Sequence, residues 1–549
     1  MTSFVHELIS HSAKRSPDTI ALQIKDTQLS YAQLNKQITR LAHSYSEFGI
    51  SQGDRVGIYL AKNKENVQSM FACSLLGAVF VPINPVLKAQ QVNYIANDCQ
   101  IKLLITNRAR LKTMIPLLGD LTELNTIIVI DANEIQLRET LRPLPQSIKK
   151  IITIIDWQSF LSNYALDQDN TNYKEPHSQV AISPNDLAAI FYTSGSTGQP
   201  KGIMLSHTNI VLGAKSVSQY LQLGNNDKIL AVLPLSFDYG FNQLTSCFFI
   251  GAQCVLLDYL LPNDVIKAIT RYEITGLAAV PPLWMQLSKV TWPSDAARSI
   301  RYFTNSGGVL PLATLAKLRQ YMPQAKPYLM YGLTEAFRST YLSPDEIDKR
   351  PNSMGKAIPN SEIIVLREDG SSCDDDEEGE LVHIGPLVTL GYWHNKIATA
   401  ERYKPTPKQA INAQKTPLAV YTGDYVKRDA EGFLYFVARK DTMIKTSGYR
   451  VSPTELESVL LQLPQVEEAT IISSPSVNLG QAIIALIVAS MDDKELLKTS
   501  ILRHCKLNLP NYMVPKEIVF VNEFPRNPNG KVDIKWLTID YNKKTVPVN

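Results

Sequence analysis

The sequence predicts an α/β protein in which a large N-terminal region of α/β subdomains with a β-rich portion precedes a small α+β domain. Strand-like and helical segments alternate over roughly the first 320 residues, which indicates parallel strands joined by crossover helices. Residues 361–391 are typical of short strands joined by turns, and the last hundred residues carry their own helix and strand patterns. The length of 549 residues corresponds to three or four structural units at about 150 residues each.

The N-terminal elements follow from capping and periodicity. Ser30 and Gln33 have the spacing of a capping box, and apolar residues then recur at helical spacing as far as Tyr45, which predicts a helix. A second helix is predicted over 64–77, and a second mixed unit runs from about 186 to 320, where apolar strands end in Gly or Pro. Strands are predicted over 55–60, 79–83 and 103–106.

The C-terminal domain contains a well-marked helix start. Ser452 stands at the capping position, Pro453 at the first helical position and Glu455 in the first turn. Apolar residues from Leu456 to Leu463 then mark one helical face. Two strands and a helix complete the predicted domain, over 469–473, 481–489 and 494–506.

Composition and charge argue against several classes of protein. Lys and Arg number 55 and Asp and Glu 52, so the net charge of +3 supplies no broad electrostatic surface for nucleic acid. No apolar run reaches the roughly 20 residues that span a bilayer, and no secretory signal is visible. We therefore expect a cytoplasmic protein with no membrane span and no nucleic-acid partner. The six cysteines show no CxxC pair and no zinc spacing, and are interpreted as reduced, mostly buried thiols.

A loop rich in glycine and hydroxyl side chains follows the strand that contains Tyr192. The backbone N–H groups and hydroxyls of such a loop can surround a polyphosphate, and Lys201 adds positive charge. The loop is not a Walker A motif, because it has no adjacent Gly-Lys followed by Ser or Thr. The sequence therefore predicts phosphate binding by Thr193, Ser194, Gly195, Ser196, Thr197, Gly198 and Lys201.

Further motifs follow the loop in an order that resembles the AMP-forming adenylating superfamily, which includes acyl-CoA synthetases, firefly luciferase and the adenylation domains of nonribosomal peptide synthesis. The resemblance covers essentially the whole chain. Within the superfamily, LPLSFDYG, MYGLTEAFRSTYLSP and IKTSGYRVSPTE are similar to acyl-CoA ligases associated with bacterial exosortase systems. The motifs lie at 305–308, 331–335, 421–424, 439–441, 445–450 and 525–531.

The resemblance implies how the nucleotide is bound. Tyr331 would stack on adenine, Thr334 would contact the α-phosphate, and Glu335 would hold Mg²⁺, a cation that prefers carboxylate ligands. Asp424 would accept hydrogen bonds from the ribose hydroxyls, with Arg439 nearby. Four further residues are implied in ATP or AMP binding: Ser306, Gly307, Gly308 and Gly332.

The resemblance also implies a catalytic lysine near the C-terminus. Lys531 would bridge the substrate carboxylate and the α-phosphate, where an ammonium group offsets the repulsion between two anions. Asp441 falls on the family's hinge, and Gly448 falls on the loop of the thiol step. The implied domains are 1–439, which forms the adenylate, and 440–549, which is mobile.

The segment that begins at Asp238 is informative about which carboxylic acid the protein activates. Asp238 stands where amino-acid-activating members carry the carboxylate that pairs with the substrate ammonium, and a buried carboxylate is costly unless it is paired. The alternative is that Asp238 caps the helix that follows. Arg338 would pair with a second anionic group of the substrate or with an acidic residue of the protein. The implied pocket, more polar than a fatty-acyl tunnel, comprises Asp238, Tyr239, Asn242, Ala279, Thr304, Ser306, Met330, Arg338 and Ser339.

The implied reaction activates a small carboxylic acid with ATP and Mg²⁺, releases pyrophosphate, and transfers the acyl group from acyl-AMP to a thiol. That thiol belongs to coenzyme A or to the phosphopantetheine arm of an acyl or peptidyl carrier protein. An acyl-CoA ligase-like enzyme and a stand-alone amino-acid adenylating enzyme both stay open. A non-catalytic acyl- or nucleotide-binding homologue is a further alternative, but we would expect it to lack Lys531, Glu335 or Asp424, and all three are present.

Overall fold

The chain forms two compact units. Unit 1 comprises Met1–Lys349, Lys356–Ile363 and His383–Val420, and unit 2 comprises Arg350–Gly355, Ile364–Val382 and Tyr421–Asn549. The predicted boundary between residues 439 and 440 stays a prediction. The computed structural model describes residues 2–144, 152–162, 182–193, 200–410, 418–440, 442–446, 449–476, 479–490, 493–509, 511–527 and 530–545.

The first part of the chain alternates strands and helices, as predicted. Gln33 N donates a hydrogen bond to Ser30 Oγ, and Ser30 N donates to Gln33 Oε1, so both bonds of the predicted capping box are present. The helices are α1 (Glu7–Arg15), α2 (Tyr31–Glu47), α3 (Lys64–Leu76), α4 (Ala89–Asp98), α5 (Arg108–Met114), α6 (Glu134–Thr140) and α7 (Trp157–Ser162). The strands are β1 (Ile20–Ile24), β2 (Thr27–Ser30), β3 (Arg55–Ile58), β4 (Val79–Pro82), β5 (Ile101–Thr106), β6 (Thr126–Val129) and β7 (Thr153–Asp156).

The middle of the chain continues the alternation. Its helices are α8 (His207–Tyr220), α9 (Asp238–Ile250), α10 (Pro262–Tyr272), α11 (Pro281–Lys289) and α12 (Leu312–Tyr321). Its strands are β8 (Leu187–Thr193), β9 (Lys201–Ser206), β10 (Lys228–Ala231), β11 (Gln253–Leu256), β12 (Gly276–Ala279), β13 (Tyr302–Asn305), β14 (Lys326–Tyr331), β15 (Thr340–Leu342) and β16 (Lys356–Ala357).

The last part of the chain is richer in strands. They are β17 (Glu362–Leu366), β18 (Gly379–Ile384), β19 (Tyr403–Pro405), β20 (Leu418–Arg428), β21 (Leu434–Arg439), β22 (Ile444–Thr446), β23 (Tyr449–Val451), β24 (Val466–Ser476), β25 (Gly480–Ala489) and β26 (Glu517–Phe520). The helices are α13 (Lys396–Arg402), α14 (Pro453–Leu460), α15 (Lys494–Asn508) and α16 (Ile534–Thr545). Short 3₁₀ helices cover Ile115–Asp120, Thr334–Ala336, Pro344–Glu346 and Asn511–Met513.

Two sheets of unit 1 carry the α/β architecture. One has the strand order β16-β15-β14-β13-β12-β10-β11-β1-β2, and the strands from β14 to β1 pair in parallel. The other has the order β7-β6-β5-β3-β4-β8-β9 and is parallel except for the antiparallel β8–β9 pair. The β-rich portion has the order β17-β18-β20-β19 with β21 beside β20, and the C-terminal sheet of unit 2 has the order β23-β22-β25-β24 with β26 beside β25. The predicted fold class is confirmed.

Aromatic packing fixes α9 in the core of unit 1. The ring of Phe241 lies 5.4 Å from that of Phe80, 5.7 Å from that of Phe191 and 6.4 Å from that of Phe71, measured between centroids. Because these partners come from α3, β4 and β8, the start of α9 is held against α3 and the sheet that contains β4 and β8.

All six cysteines are buried and free, as predicted. No helix in the described part of the chain combines the length and apolar composition that crossing a bilayer requires.

Candidate active site

The carboxyl ends of β12, β13 and β14 meet at one edge of their sheet. Ala279 pairs with Asn305, and Asn305 pairs with Leu329, so β12 and β13 end beside Leu329 and β14 continues two residues further, to Tyr331. In open α/β sheets, ligands bind beyond this edge. The edge therefore gathers four predicted site residues that are far apart in sequence: Ala279, Thr304, Met330 and Tyr331.

The predicted phosphate loop joins the antiparallel strands β8 and β9. Thr193 pairs with Lys201 at the mouth of this hairpin. The five predicted residues between them, Ser194, Gly195, Ser196, Thr197 and Gly198, lie outside the described residues.

Tyr392 links the lysine of this loop to Glu335. Its backbone bridges Ile203 of β9, which sets its ring beside the hairpin. Lys201 Nζ lies 5.5 Å from the centroid of the Tyr392 ring, and the Tyr392 hydroxyl donates a 2.6 Å hydrogen bond to Glu335 Oε1. Burial and then the nearby charge of Glu335 raise the pKa of Tyr392, so its hydroxyl stays a donor. The predicted cation and the predicted metal carboxylate thus share one neighbour.

Glu335 is positioned by a short 3₁₀ turn. Thr334–Ala336 form this turn directly after β14, and Thr389 N donates a 3.0 Å hydrogen bond to the carbonyl oxygen of Glu335. Among the described residues, no group of three or more His, Cys, Asp or Glu side chains is placed to hold a metal ion. Mg²⁺ usually binds through one or two carboxylates, waters and substrate phosphates, and a single carboxylate that shares the neighbour Tyr392 with Lys201 fits that pattern.

Asp238 and Arg338 form a buried ion pair. Asp238 is the first residue of α9, and the N-cap is Phe237, so Asp238 does not take the capping position that the sequence left as an alternative. Arg338 Nη1 donates to Asp238 Oδ2 at 2.8 Å, and the two side chains are 3% and 14% exposed. Thr334 Oγ1 donates to Asp238 Oδ1 at 3.3 Å. Of the two partners predicted for Arg338, the structure places the acidic residue of the protein next to it.

Arg338 is held from both sides. Its guanidinium carbon lies 4.6 Å from the centroid of the Tyr239 ring, and Nη1 also donates to the carbonyl oxygen of Phe337 at 2.9 Å. Phe337 has a φ of 58°, a conformation that a bulky residue adopts only when its surroundings impose it, and its ring packs where Gly213 lacks a side chain. The buried Phe337 ring therefore sets the direction in which Arg338 leaves the chain.

The other predicted pocket residues are buried except for Tyr239, which is half-buried, and most of them have a hydrogen-bond partner within the protein. Tyr239 hydroxyl lies 2.6 Å from Thr304 Oγ1. Ser339 Oγ contacts His383 Nδ1 at 3.0 Å, and burial lowers the pKa of His383 to about 3, so the ring is neutral. Met330 Sδ accepts from the Tyr220 hydroxyl and Asn242 Nδ2 donates to Thr245 Oγ1, while Ala279 is fully buried.

The segment after β13 shows why glycine is needed beside the sheet edge. Gly307 has a φ of 82°, in the left-handed region, and follows buried Ser306. A Cβ at Gly308 would lie 3.2 Å from Pro281 Cγ, and one at Gly332 would lie 3.2 Å from Arg338 Cα. The backbone therefore approaches its neighbours closely after β13, and again at Gly332, which follows the half-buried Tyr331.

Unit 2 brings together Asp424 and Arg439. They are opposite each other on β20 and β21, and Arg439 Nε donates to Asp424 Oδ1 at 2.8 Å. Asp424 N donates to Thr422 Oγ1, and Thr422 Oγ1 donates to the carbonyl oxygen of Leu381 at 2.8 Å. The predicted proximity of Arg439 to Asp424 is present, and a buried carboxylate at the end of this network keeps a fixed orientation.

Lys531 lies on a tight turn of unit 2. Asn527 N donates to the Lys531 carbonyl oxygen at 2.8 Å, and Lys531 N donates to Asn527 Oδ1 at 3.1 Å. Its side chain is exposed. Asp441 and Gly448 lie outside the described residues, so the hinge and the thiol-step loop stay predictions.

Comparisons with known proteins agree on one family. The family model of AMP-binding enzymes matches residues 9–393, and the model of the AMP-binding enzyme C-terminal domain matches residues 455–531. The o-succinylbenzoate CoA synthetase of Bacillus subtilis, solved with its acyl-adenylate intermediate, is 25% identical with a TM-score of 0.78, and the match covers 97% of each chain.

Curated relatives differ in length. The L-proline–[L-prolyl-carrier protein] ligase of Pseudomonas fluorescens is 29% identical over 96% of this chain and 97% of its own. A linear gramicidin synthase of Brevibacillus parabrevis is 27% identical over 97% of this chain, but the chain spans only 6% of that synthase.

Proposed function

The chain belongs to the family of AMP-binding enzymes, and on that basis we propose that it is an AMP-forming acid–thiol ligase. The observation that carries the proposal is the arrangement of Lys201, Tyr392 and Glu335, because it joins a phosphate-loop cation to a carboxylate suited to Mg²⁺. Mg²⁺ held through Glu335 and the phosphates would neutralise charge on the triphosphate.

The reaction proceeds in two balanced steps. A carboxylate oxygen of the acid attacks the α-phosphorus of ATP, and the bond to pyrophosphate breaks. The thiol of a phosphopantetheine arm, of coenzyme A or of a carrier protein, then loses its proton and attacks the acyl carbon. A thioester forms, the bond between the acyl carbon and AMP breaks, and AMP leaves. Lys531 is proposed to offset the repulsion between carboxylate and phosphate in the first step. Asp424 is proposed to accept hydrogen bonds from the ribose.

Asn305 has an acceptor atom suited to bind a purine at the edge of the sheet. Its Oδ1 atom is buried and accepts no hydrogen bond from any residue that the structure describes. A buried acceptor of this kind is costly to leave unpaired, and an exocyclic amino group such as that of adenine would satisfy it. Tyr331, at the end of the neighbouring strand, supplies an aromatic face of the kind on which bases stack.

A second candidate is an amino-acid ligase that loads a separate carrier protein, which is favoured by the full-length match to the L-proline ligase. One experiment tests both candidates. ATP–pyrophosphate exchange is measured with purified protein and Mg²⁺ across amino acids, alkyl and aryl acids and dicarboxylates. Exchange that depends on one class of acid supports the ligase and identifies that class. Absence of exchange with every class contradicts the proposed function.

A further inference from the structure

Arg338 has more hydrogen-bond donors than the protein uses. Of its nitrogen atoms, Nη1 donates to Asp238 and to the carbonyl oxygen of Phe337. Nε and Nη2 are buried and have no hydrogen-bond partner among the residues that the structure describes. Since the side chain is 3% exposed, solvent does not satisfy these donors either.

The two unsatisfied nitrogens form a recognition element. Nε–H and one Nη2–H point along the same edge of the planar guanidinium, which is the fork that carboxylates and related oxygen acceptors bind with two parallel hydrogen bonds. Tyr239 packs on the face of the guanidinium and Asp238 takes a different nitrogen, so the fork is fixed before any ligand arrives.

The fork of Arg338 is connected through Asp238 to Thr334, near which the reacting carboxylate is proposed to bind. Thr334, which is proposed to contact the α-phosphate, donates to Asp238 Oδ1, and Asp238 Oδ2 accepts from Arg338. The fork is therefore separated from Thr334 only by one carboxylate group and the guanidinium itself. A substrate that reaches both needs only a short spacer between its two ends.

The ion pair between Asp238 and Arg338 also argues against Asp238 as the partner of a substrate ammonium. Its negative charge is already balanced within the protein by Arg338 at 2.8 Å, so a substrate ammonium is not needed to offset the cost of burying it. Adding a cation beside Arg338 would instead bring two positive charges together in a poorly solvated place.

We propose that this chain selects short acids that carry a second oxygen-acceptor group, bound by the Nε–Nη2 fork of Arg338, and that it discriminates against α-ammonium acids. The inference rests on the proposed ligase function and specifies its substrate class. The acceptor is a carboxylate or a carboxamide, which share the geometry that the fork recognises.

The test compares acids of equal length. Pentanoate, glutarate, the half-amide of glutarate and norvaline are assayed by ATP–pyrophosphate exchange, together with matched sets of four to eight carbons. We expect at least one distal-oxygen acid to exceed the alkyl acid of its set about tenfold or more in kcat/KM, with the α-amino acid slowest. The ratio of glutarate to its half-amide shows whether the acceptor is charged or neutral.

Two variants distinguish an effect of the Arg338 fork from a general loss of structure or activity. Asp238→Asn keeps the fork, so the preference for distal oxygen should persist. Asp238→Asn combined with Arg338→Met removes the fork without leaving an unpaired buried charge, and the preference should fall to about onefold. A preference that survives the double variant, or the fastest exchange with norvaline, overturns the proposal.

Binding distinguishes failure of this inference from failure of the ligase function. Calorimetric titration of each acid into the wild type and both variants does not require turnover, and MgATP titration with thermal melting confirms that each variant is folded. Exchange with the alkyl acid as fast as with the distal-oxygen acids in every set contradicts the inference and leaves the ligase function standing. Absence of exchange contradicts the ligase function, and tighter binding of glutarate than pentanoate that depends on Arg338 would still support the fork.

Discussion

Tyr392 orients the carboxylate on which the proposed Mg²⁺ site depends. Its hydroxyl bonds to Glu335 Oε1, and its ring is adjacent to Lys201 Nζ. A carboxylate with one oxygen held in this way presents the other in a defined direction, and such orienting partners commonly contribute about 10- to 100-fold to metal affinity or activity.

Tyr392→Phe removes that hydrogen bond and keeps the ring. We expect the Mg²⁺ concentration for half-maximal ATP–pyrophosphate exchange to rise about tenfold, with little change in thermal stability. Tyr403→Phe is the matched control, because the Tyr403 hydroxyl bonds to Thr389 Oγ1 at 2.6 Å. An equal effect in both variants would argue against a specific role for Tyr392.

Lys531→Ala tests the proposed charge compensation in the first half-reaction. Removal of a fixed cation from the approach of carboxylate to phosphate should slow pyrophosphate exchange by about 10²- to 10³-fold. The protein should fold normally, because the Lys531 side chain is exposed. Lys516→Ala replaces another exposed lysine of unit 2 and should leave the rate unchanged. Unaltered exchange in Lys531→Ala would rule out this role.

Residues within contiguous motifs could be predicted from the sequence, and residues brought in by tertiary packing could not. Glu335 and Asp424 stand in recognisable motifs, whereas Tyr392 lies in a loop whose local sequence says nothing about a carboxylate 57 positions away. The same holds for Asp238 and Arg338, which are 100 positions apart. Both were assigned to the pocket, but their mutual pairing depends on how the start of α9 packs against the segment that follows β14.

The segment that leads into helix α1 is attached to the rest of unit 1 through two histidines, the half-buried His6 and the buried His207. His6 Nδ1 lies 3.1 Å from Ser74 Oγ of α3, and Val5 N donates to His207 Nδ1 at the start of α8. Burial lowers the pKa of both His6 and His207 to about 4, and a charge on His6 would lower the pKa of His207 further. Because His207 Nδ1 accepts the bond from Val5 N, the attachment requires that nitrogen to be unprotonated, and the lowered pKa values keep both rings neutral at pH 7.

This attachment predicts how stability depends on pH. Between about pH 6.5 and 4 the unfolded chain binds protons at these histidines that the folded chain does not, so the unfolding free energy falls as the pH falls, by at most about 1.4 kcal/mol per pH unit for each ring. His207→Asn should reduce this slope in urea unfolding at pH 7, 6 and 5. The same substitution at the less buried His504 of α15 serves as control, and an identical slope in both variants would contradict the assignment.

Local chemistry predicted individual elements better than their arrangement. The capping residues Ser30 and Ser452 located the starts of α2 and α14, and Glu455 N does donate to Ser452 Oγ. The position of β1 beside β11, more than 200 residues later in the chain, has no local sequence pattern. Sheet order is decided by which apolar faces cover one another, and that is a property of the assembled unit.

At the scale of the whole chain, the two family matches confirm the predicted superfamily and fold class, while the exosortase-associated subgroup stays a prediction.

The assignment of different loops to the two half-reactions can be tested at Gly448. Gly448→Leu should spare pyrophosphate exchange and slow thioester formation at least tenfold, because the resemblance assigns this loop to the thiol step. Thioester is measured with coenzyme A and with a phosphopantetheinylated carrier protein. Equal loss in both half-reactions would refute the assignment.

The burial of all six cysteines has a consequence for the fidelity of such an enzyme. A mixed anhydride of an acid and AMP acylates any thiolate that reaches it, including one belonging to the protein that made it. Burial raises the pKa of Cys99 to about 12 and that of Cys505 to about 11, which keeps these thiols protonated as well as inaccessible. The chain offers no competing acceptor among its own thiols, so the activated acyl group is preserved for the thiol that is delivered from outside.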